Sequence, residues 1–168
     1  MQTETIVNLT RKIPDGNVKN EMISLYLSIV ETDSLPSCWE VHANYNFFFY
    51  EQIQDKYLTT RDADESAKRF SEMKTTWGFA QLIPLAVFKD SSNGYLVNDS
   101  CAFGAEVLVI GPSKGNLETL SFSKGRFIED AIFTWEINNF SKLNEYLHRS
   151  KVFTTGGIRW YTNHYLFL

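Results

Sequence analysis

The sequence predicts an all-β fold, a sandwich or a barrel. Three observations carry that expectation. Apolar residues recur with period two in several short runs, as they do on a half-buried strand. The chain is rich in aromatic residues, with 13 Phe, 8 Tyr and 4 Trp among 168 residues, and most lie in those runs. Turn chemistry separates the runs about every ten residues, and no stretch of helical period exceeds about two turns. Six or seven short strands follow.

The first run, "TETIVNLTRKI", alternates loosely and ends at Pro14-Asp15-Gly16-Asn17, a strong turn signal. "EMISLYLSIVE" (21–31) places Ile23, Leu25, Leu27 and Ile29 on one aliphatic face and Met22, Ser24, Tyr26, Ser28 and Val30 on the other, a half-buried strand. "WEVHANYNFFFYEQ" (39–52) gathers Trp39, Val41, Ala43, Tyr45, Phe47 and Phe49 on one side and mostly polar residues, His42 among them, on the other. "KYLTTRD" is a short strand and "ADESAKRF" a polar loop or helical turn. "FAQLIPLAVFK" (79–89) holds a short helix at most, with Pro84 breaking it in the middle. "CAFGAEVLVIG" (101–111) is an apolar strand whose Gly104 marks a bulge or a close backbone approach. Residues 111–130 carry Gly, Ser and mixed charge and read as a linker. Beyond them, "IFTWEINNFSKL" puts Phe133, Trp135 and Ile137 on one face, and Gly156-Gly157 turns a last alternating run.

Composition narrows the function classes. A chain of this length suits one domain, or one domain and part of another. The net charge of −4 and the lack of any Lys/Arg run argue against a nucleic-acid partner. No apolar stretch approaches the ~18 residues of a membrane span, and no basic-then-apolar leader is visible. Cys38 and Cys101 have no CxxC spacing and read as buried or half-buried free thiols in a reducing compartment, so a cytoplasmic location is expected. The sequons at Asn8, Asn98 and Asn139 then read as chance.

The residues offer no constellation for chemistry. His42, His148 and His164 lack metal-ligand spacing. "DADE" (62–65) is a solvated acidic loop, and "GPSKGN" lacks the GxxxxGK[ST] of a phosphate loop. No catalytic residue, metal or cofactor is expected, and the protein reads as a non-enzyme.

Residues 73–110, "MKTTWGFAQLIPLAVFKDSSNGYLVNDSCAFGAEVLVI", resemble the signature half of a MATH domain, the meprin-and-TRAF-homology or TRAF-C domain. "WGF" (77–79), "NGYLVNDS" (93–100) and "FGAEV" (103–107) carry the likeness in order and spacing, and plant tandem-MATH proteins look most similar. The resemblance implies an antiparallel β-sandwich of TRAF/MATH type with about 7–8 strands. By the same likeness, residues 5–110 are a MATH domain lacking its first strands. Residues 111–130 are a linker, and residues 131–168 resemble the first two strands of a second MATH domain, through "FTWEINNFSKL" and "FTTGGIRW". Two outcomes stay open: the tail leaves the first sheet with an open edge, or it packs onto the first domain and fills its vacant strand positions as a circular permutation.

The resemblance also implies a function: an adaptor-like interaction module that binds an extended peptide segment of a partner protein at a sheet rim. Carried over by position, Tyr45 floors a shallow groove, Trp77 and Phe79 form its wall, and the Gly78 backbone approaches the peptide. Lys68 stands where substrate adaptors of this family place a tyrosine, and Thr75 and Thr76 stand where those adaptors carry a charged pair. A Ser/Thr-rich ligand is therefore not implied. Tyr45, Trp77 and Phe79 read equally as core aromatics. The alternative function is a truncated structural fragment with little activity of its own. The partner, pathway and oligomeric state are open.

Overall fold

The computed structural model describes residues 5–6, 21–60, 66–110, 132–143 and 147–167. The turn expected at 14–17, the acidic loop at 62–65 and the linker at 111–130 lie outside them. Eleven strands are present among the described residues: β1 (Thr5–Ile6), β2 (Met22–Ile29), β3 (Glu40–Glu51), β4 (Lys56–Thr60), β5 (Lys68–Ser71), β6 (Thr76–Pro84), β7 (Ser100–Ile110), β8 (Ile132–Asn138), β9 (Leu147–Arg149), β10 (Phe153–Thr155) and β11 (Ile158–Phe167). The one α-helix described, α1, is a short turn at Leu85–Lys89. The count exceeds the expected 7–8 because β1, β9 and β10 are only two or three residues long and pair beside longer neighbours.

Two sheets face each other. The first runs β1-β4-β3-β7-β8, with β5 also paired to β3; the second runs β10-β11-β2-β6, with β9 also paired to β11. All pairs are antiparallel except the two-residue contact of β1 with β4. The twelve-residue β3 is the spine of the first sheet. Its inward residues Val41, Ala43, Tyr45, Phe47 and Phe49 are buried, as the period-two pattern predicts. They meet Ile23, Leu25 and Leu27 of β2 and Trp160 of β11 across one continuous core. Trp160 is fully buried; its ring lies 5.1 Å from Phe70, and its Nε1 donates to the Thr155 carbonyl at 3.2 Å.

The C-terminal strands occupy both sheets. β8 pairs with β7 from Ser100↔Asn138 to Glu106↔Ile132. β11 lies between β10 and β2 and pairs with β2 from Trp160↔Ile29 to Phe167↔Met22. Ile137 and Phe140 are buried with the rest of the core.

Four local expectations are corrected, and one of two open readings, at Gly104, is decided. Lys68–Phe70 form part of strand β5 rather than a loop or helical turn, because Lys68 and Phe70 both point inward and are buried opposite Ala43 and Val41. Pro84 starts α1 rather than breaking it: with φ of −58° and no N–H to donate, it ends the strand and caps the helix. β2 is buried on both faces, not one. Its hydroxyls make this tolerable, since Ser24 Oγ donates to the Ala80 carbonyl at 2.9 Å and Ser28 Oγ bonds Thr76 Oγ1 at 2.8 Å. Cys38 is exposed, in a turn where its φ is 60°. At Gly104 the register with Phe48 is unbroken, so the glycine serves close approach and not a bulge: a Cβ there would overlap the Phe48 ring.

Candidate functional site

Among the described residues β6 is the terminal strand of the second sheet, and β5 borders the first. A tight turn joins them. Ser71 and Lys74 exchange both backbone hydrogen bonds at 3.0 Å, with Glu72 and Met73 at the tip. Met73 is 96% exposed. The chain thus passes from one sheet to the other at a rim, and four of the five expected site residues meet beside it.

Trp77 is half-buried on β6. Its Nε1 donates to the Arg69 carbonyl of β5 at 2.8 Å, which ties the two edges together. The Lys74 ammonium sits 3.1 Å from the centre of the Trp77 ring, and the Lys68 ammonium lies 5.7 Å from it. Both positions suit attraction between a cation and the ring face. Lys68 is buried, while Lys74 is exposed. Phe79, two residues along on the same face, meets Tyr45 edge-on at 6.4 Å and Phe47 at 6.1 Å. Tyr45 is only 7% exposed and lies 5.2 Å from Phe47, so it supports Phe79 from within the core.

Gly78 serves a different neighbour. A Cβ at this position would overlap the Leu25 carbonyl and the Tyr26 ring, so the close approach it permits is to β2. Beyond Phe79 the edge changes. The pairing moves from Leu25↔Phe79 to Ile23↔Ile83, which leaves extra residues on β6 where Ala80 and Gln81 are exposed. The regular part of this edge is therefore Thr76–Phe79. Lys74 and Met73 complete the rim and were not singled out by the sequence reading. A Lys three residues before a Trp, directly after a two-residue turn, is the signal that marks them.

Other reactive groups stand apart from this rim. Burial, reinforced by Asp99, pushes the Cys101 thiol up to about 12, which removes it as a nucleophile near neutral pH. His164 is fully buried, and its ring stacks on Phe103 at 5.6 Å and on His148 at 4.8 Å. Among the described residues no group of three or more His, Cys, Asp or Glu side chains could hold a metal. No helix among them is long and apolar enough to cross a membrane.

A model of the MATH domain matches residues 11–107, more than half of the chain. The chain belongs to the MATH-domain family. MATH domains mediate protein–protein interactions. Among similar curated proteins of Arabidopsis thaliana, the MATH domain and coiled-coil domain-containing protein At3g58250 is 34% identical over 98 residues, covering 58% of this chain and 31% of that protein. Ubiquitin C-terminal hydrolase 12 is 34% identical over 96 residues, 57% of this chain but only 8% of the hydrolase. Protein RESTRICTED TEV MOVEMENT 3 is 29% identical over 100 residues, 60% of this chain and 33% of its own. The chain thus spans a third or less of each of these relatives. No solved structure matches it significantly. The rim from Lys68 to Phe79 lies inside the MATH match, whereas β8 to β11 lie beyond it and pair with strands within it.

Proposed function

We propose that this MATH domain is a non-catalytic, cytoplasmic interaction module that binds an extended segment of a partner protein along the open edge of β6. One observation carries the reading: the regular part of that edge, Thr76–Phe79, borders a half-buried tryptophan flanked by two ammonium groups. An extended peptide added there would gain main-chain hydrogen bonds from the strand edge. Specificity would come from the Trp77 and Phe79 side chains and from the positive charge of the exposed Lys74. Such a rim favours a segment with an apolar or aromatic residue next to an acidic one. Tyr45 would act by holding Phe79 in place, and Gly78 by letting β2 and β6 pack closely.

In the same reading, residues 5–110 are a MATH domain without its first strands. Residues 131–168 are the first strands of a further MATH repeat, set into the vacant positions as a circular permutation.

The test is a peptide-library selection against the full chain, followed by calorimetry of the selected peptides. Trp77→Ala is expected to weaken binding by at least about ten-fold, the loss typical of a central aromatic anchor. Because Trp77 also ties β6 to β5, Lys74→Glu serves as a second variant. Its side chain is exposed, so folding should persist while affinity for acidic peptides falls. Selected peptides that bind both variants as tightly as the parent chain would overturn the assignment.

A further inference from the structure

We propose, resting on that assignment of the rim, that Lys74 is a displaceable cover on Trp77. In the free domain its ammonium occupies one face of the indole. An acidic group in the partner segment draws it off and opens that face to the apolar residue beside the acid. The ammonium stands 3.1 Å from the ring centre, which is contact distance, so no ligand atom fits between them. Lys74 is exposed and Trp77 half-buried, so the lysine reaches the indole from the solvent side.

The neighbouring charges explain why the lysine settles there. The Glu72 carboxylate accepts the Cys38 backbone N–H at 2.8 Å, and Glu40 pairs with Arg69 at 3.4 Å. Among the described residues no carboxylate lies within ion-pair distance of Lys74, so the ring is the partner left to its ammonium. The Lys74 backbone is fixed, since it exchanges both hydrogen bonds with Ser71 at 3.0 Å. The turn therefore stays closed, and rotation of the flexible side chain alone uncovers the indole. An exposed contact between a cation and a ring is about as weak as an exposed ion pair. A carboxylate arriving with the partner chain thus competes for the ammonium on even terms. A lysine that merely attracted acidic segments would leave neutral ones unaffected. A covering lysine also opposes the neutral ones, because an apolar residue without an acid beside it must displace the ammonium unaided.

Proton shifts of the lysine ε-methylene groups in the full chain, assigned to Lys74 with the variant Lys74→Arg, read the cover without any ligand. Those of Lys74 should lie upfield of the other exposed lysines, because they sit over the ring. They should move back when a library-selected acidic peptide saturates the rim. Calorimetry then compares that peptide with its Asp→Asn or Glu→Gln counterpart. The parent chain should favour the acidic form by about five-fold, the worth of one exposed ion pair. Lys74→Ala should bind the two forms alike, and should bind the neutral form about three-fold tighter than the parent does, since no cover has to be displaced. The Trp77 indole N–H separates the two levels of failure. If a saturating peptide leaves it unmoved, the rim is misassigned and the cover falls with it. If it moves while the Lys74 shifts stay upfield, or if Lys74→Ala gains nothing for the neutral form, the rim stands and the cover is overturned. A free chain without the upfield shift overturns the cover as well.

Discussion

Removing residues 131–168 should abolish cooperative unfolding. Without them the second sheet shrinks to β2 and β6 among the described strands, and the pairings of β2 with β11 and of β7 with β8 vanish. The core loses Trp160, Ile137 and Phe140 outright. Phe70 loses the Trp160 ring at 5.1 Å, Phe88 loses Phe140 at 5.4 Å, and Phe103 loses His164 at 5.6 Å. Each large buried apolar side chain contributes roughly 1.5–3 kcal/mol, so three of them alone rival the ~5–15 kcal/mol that stabilises an ordinary domain. Calorimetry of the shortened chain should show no sharp transition. A separate peptide of residues 131–168 should restore one, since the interactions it makes are all non-covalent. A shortened chain that melts cooperatively near the parent's midpoint would show that these strands add little.

The second large effect is on acid stability, through His164. Its ring has no exposed surface and is enclosed by Phe103, by Trp135 at 5.0 Å and by His148 at 4.8 Å. Neither ring nitrogen has a hydrogen-bond partner among the described residues. Burial, and secondarily His148, lowers its pKa from 6.5 to about 3. The unfolded chain therefore takes up a proton between those values that the folded chain refuses. Stability should be unaffected by this group above about pH 6.5, decline as pH falls from there to about 3, and level off below. The slope is about 1.4 kcal/mol per pH unit, and the whole window costs on the order of 5 kcal/mol. Denaturant melts of the parent and of His164→Phe across that range measure it as a difference, which cancels the carboxylates common to both. A difference that does not change with pH would show that the imidazole is not held in its neutral form.

The strands and the inward face of β3 were legible because their periodicity is local. Val41, Ala43, Tyr45, Phe47 and Phe49 share one face and each is buried as the alternation requires, although Phe48 on the other face is buried too. β5 was missed because only Lys68 and Phe70 point inward in "AKRF", and a lysine does not advertise burial until Trp77 is seen beside it. The double burial of β2 was hidden for a related reason. Ser24 and Ser28 look like solvent-face residues, and only the neighbouring strand supplies Ala80 and Thr76 as their partners. At the rim, Trp77 and Phe79 stood out as aromatics, but Lys74 gained meaning only from the turn that folds it over the indole. The depth of Tyr45 likewise depended on Phe79 arriving from the other sheet.

The central claim is that the β5–β6 rim receives an extended partner segment. Backbone amide chemical-shift mapping of the full chain with a library-selected peptide tests it most directly. The account predicts perturbations concentrated at Lys68–Ser71 and Thr76–Phe79, with the Trp77 indole N–H shifting as the peptide covers it. Saturable binding whose perturbations fall on β8 or β10, leaving the Trp77 indole unmoved, would contradict it.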